Sequence, residues 1–170
     1  MDMSFFSFPN PVNDVAARTV ATGVITMAIV CLATGQMWII IFLAYGFIAR
    51  VLAGPRISPL GQIATRFVAP KLSTFEKLVP GPPKRFAQGI GALFTSSAML
   101  LWLVGETTAA RVLLVLLCIP ALLEAGLGYC VGCKMFAIFM RLGIIPESVC
   151  LECANIYSER ARQRPVGKVN

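Results

Sequence analysis

Ala109-Ala-Arg-Val-Leu-Leu-Val-Leu-Leu-Cys-Ile-Pro-Ala-Leu-Leu-Glu-Ala-Gly-Leu127 runs directly into Gly128-Tyr-Cys-Val-Gly-Cys133. The first stretch is apolar nearly throughout and long enough to cross a bilayer as a helix, which takes roughly 17–25 residues. The second is a glycine stop followed by two thiols three residues apart. Together they set the fold class and point to where reactive groups collect.

Working outward, three more apolar spans cover residues 15–33, 37–53 and 86–104. The second is near the minimum length, and Arg50 near its end can snorkel to the headgroups. Gly35-Gln36 separates the first two spans and residues 105–108 separate the last two. Such short links make each pair an antiparallel hairpin. The expected fold is an all-α membrane protein with four transmembrane helices in two hairpins, plus short cytoplasmic-side helices. Composition agrees. Hydrophobic residues make up 57% and charged residues 14%, whereas a soluble domain is about half apolar and about a quarter charged.

The halves read as a repeat. Asn10-Pro-Val-Asn-Asp-Val-Ala16 opens one and Gly81-Pro-Pro-Lys-Arg-Phe-Ala87 the other. Each then runs span, link, span, short segment, proline, with Arg66 matching Arg141 and Pro70 matching Pro146. Both halves enter from the same side, so the repeat is parallel. The expected divisions are 1–79, a first hairpin with an interfacial helix; 80–159, a second hairpin with a C-terminal lobe holding two C-x-x-C pairs; and 160–170, a basic disordered tail drawn to anionic lipid.

Net charge is +7, from 15 Lys and Arg against 8 Asp and Glu. In a membrane protein that excess marks cytoplasmic loops rather than a nucleic-acid surface. Arg50, Arg56, Arg66, Lys71, Lys77, Lys84 and Arg85 border or lie in the central connection, and six more basic residues follow the fourth span. The hairpin tips hold only Glu106 and Arg111. The positive-inside rule therefore places both termini in the cytoplasm, in a multi-pass protein of a bacterial inner membrane. Trp38 and Trp102 then fall near the outer interface. The start, Met1-Asp-Met-Ser-Phe-Phe-Ser-Phe-Pro9, lacks the basic n-region of a secretory signal. Asn10-Pro-Val-Asn13 reads as an entry turn and helix cap. Within residues 58–68, Leu60, Ile63, Ala64, Phe67 and Val68 share one helical face, as in an interfacial helix. Residues 134–142 form its more apolar counterpart, and Pro146 starts a last helix carrying Cys150 and Cys153.

The chain has no histidine. That excludes histidine metal sites, histidine-ligated haem, and Ser-His-Asp or Cys-His catalysis. The chemistry is left to Cys130-Val-Gly-Cys133, sixteen residues, Cys150-Leu-Glu-Cys153. Four thiolates at this spacing could hold zinc or iron. The two pairs could instead exchange a disulfide. Cys130 and Cys133 sit at a helix start beside Lys134, where a thiol is acidified, and Glu152 suits the other pair to a resolving role. Both readings stay open, beside a bland one in which the thiols are inert helix residues. Cys31 and Cys118 lie inside spans and read as small hydrophobes. Arg50 and Glu124, at matching places in the halves, are expected to form a salt bridge between hairpins. Neither a Walker nor a dinucleotide motif is present.

Phe8-Pro-Asn-Pro-Val-Asn13, Ala44-Tyr-Gly-Phe47, Arg50-Val-Leu-Ala-Gly-Pro-Arg56, Ser58-Pro-Leu-Gly61, Pro80-Gly-Pro-Pro-Lys-Arg-Phe-Ala-Gln-Gly89 and Cys130-Val-Gly-Cys-Lys134 together give the chain its strongest likeness. It resembles a small bacterial membrane family, domain of unknown function 4395, over nearly its whole length. The resemblance implies four spans and functional C-x-G-C and C-x-x-C pairs at Cys130, Cys133, Cys150 and Cys153. Genes of the family often neighbour thioredoxin-like or rhodanese-like proteins, which implies thiol or sulfur chemistry. The expected function is a membrane thiol–disulfide or sulfur-relay module with a thioredoxin-like or sulfurtransferase partner. The alternative is a non-enzymatic scaffold fixed by a four-cysteine zinc or iron site. Whether a quinone binds is open from sequence.

Overall fold

The computed structural model describes residues 10–72, 78–146 and 149. The chain enters through a two-residue strand, β1 (Val12–Asn13), and continues into α1 (Asp14–Thr34) and α2 (Met37–Ala53). A 3₁₀ turn, Gly54–Arg56, leads to α3 (Pro59–Ile63), a π-helical turn (Ala64–Val68) and α4 (Ala69–Lys71). Strand β2 (Leu78–Val79) precedes α5 (Gly81–Leu103), α6 (Thr107–Leu127) and α7 (Val131–Arg141). Among the described residues, four helical stretches are long and apolar enough to cross a membrane: Asp14–Thr34, Trp38–Lys71, Gly81–Leu103 and Thr107–Leu127. The architecture is that of a multi-pass helical membrane protein. The predicted last helix with Cys150 and Cys153, and the basic tail, lie outside the described residues.

Local chemistry sets the helix ends. Asn13 Oδ1 accepts from the amides of Val15 (2.8 Å) and Ala16 (3.4 Å), so the predicted cap forms. Gly35 ends α1 in the left-handed region, at φ 70°. The third span begins five residues earlier than the hydropathy pattern predicts. Pro82 and Pro83 stand in the first turn of α5, where missing amides cost no helical hydrogen bond. The small antiparallel ladder was not foreseen. It pairs Val12 with Val79 and Asn13 with Leu78, and Asn10 Oδ1 also accepts from the Gly81 amide at 2.8 Å. The entries to α1 and α5 are thus tied at one end of the bundle.

α1 packs chiefly on α6, and α2 on α5; α5 also meets α6 and α7. In lipid, helices associate by close packing rather than by expelling water, and small residues permit it. Ala28, Ala53, Ala64, Ala98 and Ala110 are fully buried, and Gly91 accommodates the Phe47 ring, where a Cβ would come within 2.2 Å. Thr19, Thr22, Thr26 and Thr95 return their hydroxyls to carbonyls one turn back, so each of these hydroxyls is satisfied within its own helix. Ile41, Phe42, Leu93, Leu100, Ile119 and Leu122 face outward, as a lipid-facing surface requires.

The face predicted for residues 58–68 is split. Leu60 seats over Gly23 and Ala64 is fully buried, but Ile63 and Phe67 are exposed. The π turn is wider than an α turn, and it rotates the residues after Ile63 out of the α-helical register. α7 follows expectation and tucks against the bundle. Phe136 is buried with its ring centroid 5.7 Å from that of Phe86.

Candidate functional site

α6 ends in a left-handed glycine cap. The Gly128 amide bonds the Glu124 carbonyl (3.0 Å) and the Tyr129 amide bonds the Leu123 carbonyl (3.0 Å), with Gly128 at φ 65°. Arg18 lies across this glycine, where a Cβ would come within 2.7 Å of its guanidinium. Two residues later the chain re-enters a helix, with Cys130 as the N-cap of α7 (φ −86°, ψ 105°). Cys133 follows one turn on. Gly132 between them is buried against α5, and a Cβ there would sit 2.5 Å from Ala87 Cβ. This close approach holds the start of α7, with both thiols, on the first turns of α5.

Those turns present Lys84, which is 5% exposed. Its Nζ lies 2.5 Å from Glu124 Oε1 on α6 and 3.4 Å from Asp14 Oδ1 on α1. Asp14 Oδ2 in turn lies 3.8 Å from Arg18 Nε. Three helices are therefore tied through one ammonium group. Arg50 serves a neighbouring station. Its Nε donates to Gln88 Oε1 at 2.8 Å and its Nη1 to Ser58 Oγ at 3.0 Å, while its guanidinium carbon stands 4.6 Å from the Phe47 ring centre. The expected Arg50–Glu124 bridge is replaced. Glu124 is held by Lys84, whose early position in α5 places it nearer, and Arg50 is turned toward Gln88 and Ser58.

Cys130 and Cys133 are both free thiols, Cys130 buried and Cys133 half-buried. Their sulfurs share a hydrogen bond. Donation from the Cys133 thiol holds Cys130 below the usual thiol range; burial and Glu124 oppose this, and Lys84 assists. The same bond, with burial, pushes Cys133 far up, because it keeps the shared proton. The shared proton thus favours the anionic form at Cys130 and the protonated form at Cys133. Cys130 also forms part of the wall of a cavity of about 290 Å³ between α1, α5, α6 and α7. The wall is mainly apolar, and Gln88 and Glu124 are its other polar side chains of note.

Of the four predicted site residues, Cys130 and Cys133 are brought together. Cys150 and Cys153 lie outside the described residues. Among the described residues, no group of three or more Cys, Asp or Glu converges as a metal-ligand set. Cys31 is fully buried and its thiol donates to the Gln36 carbonyl at 3.6 Å, in keeping with a packing role. Sequence reasoning missed Lys84 and Gln88. Lys84 counts as a flanking charge when the span is started at Phe86. The signal was Gly81-Pro-Pro, a helix start that puts Lys84 a turn inside the bundle.

The family model described as Domain of unknown function (DUF4395) matches residues 12–141, more than half of the chain. Neither a curated protein nor a solved structure matches it. The matched segment contains the Lys84–Glu124–Asp14 cluster and the Cys130–Cys133 pair, and it stops before Cys150.

Proposed function

The chain belongs to the DUF4395 family, whose description states no activity, and from the site itself we propose that it is a membrane-embedded thiol–disulfide or sulfur-relay module. Cys130 is the attacking thiolate and Cys133 the resolving thiol. Their N-cap-to-third-residue spacing puts the two side chains on one face of the first turn, within bridging reach. One observation carries the reading: Cys133 donates its proton toward the Cys130 sulfur while Lys84 stands beside both. A thiolate, not a thiol, is the nucleophile in disulfide exchange. A thioredoxin-like or rhodanese-like protein would exchange electrons or sulfane sulfur with the pair, and Cys150 and Cys153 would take part as the second thiol pair. By the positive-inside rule this end of the bundle faces the cytoplasm of a bacterial cell.

The test is a redox titration of the purified chain, with each cysteine's alkylation resolved by mass. Cys130 and Cys133 should convert together as one reversible two-electron couple, in protein free of bound metal. The scaffold alternative predicts about one zinc or iron per chain, lost on replacing any of Cys130, Cys133, Cys150 or Cys153. That result, with thiols that fail to titrate, would overturn the proposal.

A further inference from the structure

The cavity beside Cys130 has no task in thiol exchange with a protein. It begins at Cys130 and Glu124 and reaches Leu117, two turns down α6, a depth of about 10 Å at 1.5 Å per residue. Most of its wall residues belong to helices long enough to span the membrane, α7 closes one end, and the lining is mainly apolar, so a lipid-soluble occupant suits it. Phe47, Phe94 and Leu117 make the deep end apolar. At about 290 Å³ it is near the lower limit for ligand sites, the size for one small ring system rather than an extended molecule.

The polar end is specific. Arg50 can only donate, so its bond to Gln88 fixes the amide with Oε1 toward the guanidinium. The amide NH₂ is then what Gln88 offers the cavity, and it suits a carbonyl oxygen. Glu124, hydrogen-bonded to Lys84, lies on the same wall and can pass protons. A lipid acyl chain would use neither group.

We infer that this cavity binds a quinone, which reoxidises the Cys130–Cys133 dithiol. The inference rests on the redox reading of that pair. The two thiols lose two electrons and two protons and form one S–S bond. The quinone gains both, and its two carbonyls become hydroxyls. Gln88 hydrogen-bonds one quinone carbonyl, and the Glu124–Lys84 pair relays a thiol proton. The partner protein's dithiol is then oxidised by the resulting disulfide, so electrons run from a soluble thiol protein to the bilayer.

The test uses the full chain in liposomes, reduced and freed of reductant. The probe is a decyl-tailed benzoquinone substituted at every ring position, which blocks thiol addition. Loss of quinone absorbance is read together with the Cys130–Cys133 disulfide by mass. One quinone should be reduced per chain, with one disulfide formed. Ala121→Phe, which fills the cavity from α6, should slow this step at least about tenfold, the scale of a filled pocket position. Its oxidation by glutathione disulfide should be unchanged, which also certifies its fold. Val20→Phe fills the cavity from α1 and repeats the test if Ala121→Phe does not fold. A wild-type pair that glutathione disulfide oxidises but the quinone does not would overturn the cavity assignment alone. So would a filled cavity that leaves the quinone rate intact. A pair inert to both oxidants would overturn the redox reading beneath it.

Discussion

The ends of α2 and α6 are built from similar parts and finished with different chemistry. At the end of α2, Gly54 turns the backbone, Ser58 caps α3, and Gly61 in the next turn lies tight against Pro55. At the end of α6, Gly128 turns the backbone, Cys130 caps α7, and Gly132 lies tight against Ala87. Ser58 is fully buried and satisfied, accepting from the Gly61 amide at 3.3 Å and from Arg50 at 3.0 Å. A hydroxyl so placed has no redox chemistry, and it closes the first junction as structure. At the second junction the N-cap residue carries a thiol, its neighbour is another thiol, and the local charge is an ion pair rather than a guanidinium. Both junctions pair a turning glycine with a closely packed one, and reactivity enters through the N-cap side chain and the charges around it.

The largest expected difference between the junctions is electrostatic. Lys84→Met leaves the largely buried Glu124 carboxylate without its cation and Asp14 with Arg18 alone, and should cost about 3–5 kcal/mol. Arg50→Met strands no carboxylate among its hydrogen-bond partners. It removes bonds to Gln88 and Ser58, and should cost about 1–3 kcal/mol. Thermal unfolding in one detergent compares them, and equal losses would erase the distinction. Pairing Lys84→Met with Glu124→Leu should recover much of the loss, since an apolar pair replaces the ions.

The next difference is steric. A Cβ at Gly61 would meet the Pro55 backbone at 2.8 Å, and one at Gly132 would meet Ala87 at 2.5 Å. Gly61→Ala and Gly132→Ala should each cost about 1–3 kcal/mol by overpacking. Only Gly132→Ala should also slow alkylation of Cys130 at neutral pH, because displacing α7 from α5 separates the thiolate from Lys84. Equal alkylation rates in the two variants would detach Lys84 from the thiol chemistry.

Much of this contrast could be read in advance, and the part that could not has a physical reason. Residues 109–127 announce a span because lipid demands a long apolar helix, and Gly128 announces its end. The Cys130–Cys133 pair and its place at a helix start follow from the same few residues. Lys84 and Gln88 were invisible because α5, distant in sequence from the thiols, brings the charge beside them and the amide to the same cavity. Hydropathy also started the third span at Phe86, and so put Lys84 outside it. Arg50 and Glu124 were rightly picked as polar residues in spans but wrongly paired. Matching positions in two halves do not specify side-chain reach, and Lys84 lies closer to Glu124. The π turn after α3 likewise leaves no mark in a pattern read at 3.6 residues per turn.

The smallest predicted effect bears most directly on the second junction. Cys130 titrates below the usual thiol range chiefly because Cys133 donates to it. A lowered value means the thiolate persists as pH falls, so half-maximal alkylation of Cys130 should lie below about 8.5, the free-thiol value. Cys133→Ala removes the donor. Burial and the Glu124 charge, which both favour the protonated form, are then opposed only by Lys84 and the backbone amide of residue 133, so the half-point should move up in pH. Cys133→Ser keeps a hydroxyl donor and should fall between the two. The measurement is alkylation of Cys130 from pH 6 to 10, resolved by mass so that the other cysteines do not interfere. Folding stability should change little, because Cys133 is half-buried and one small polar group is lost. Coincident curves for the wild type and Cys133→Ala would mean that the two sulfurs share no proton, and the second junction would then be as inert as the first.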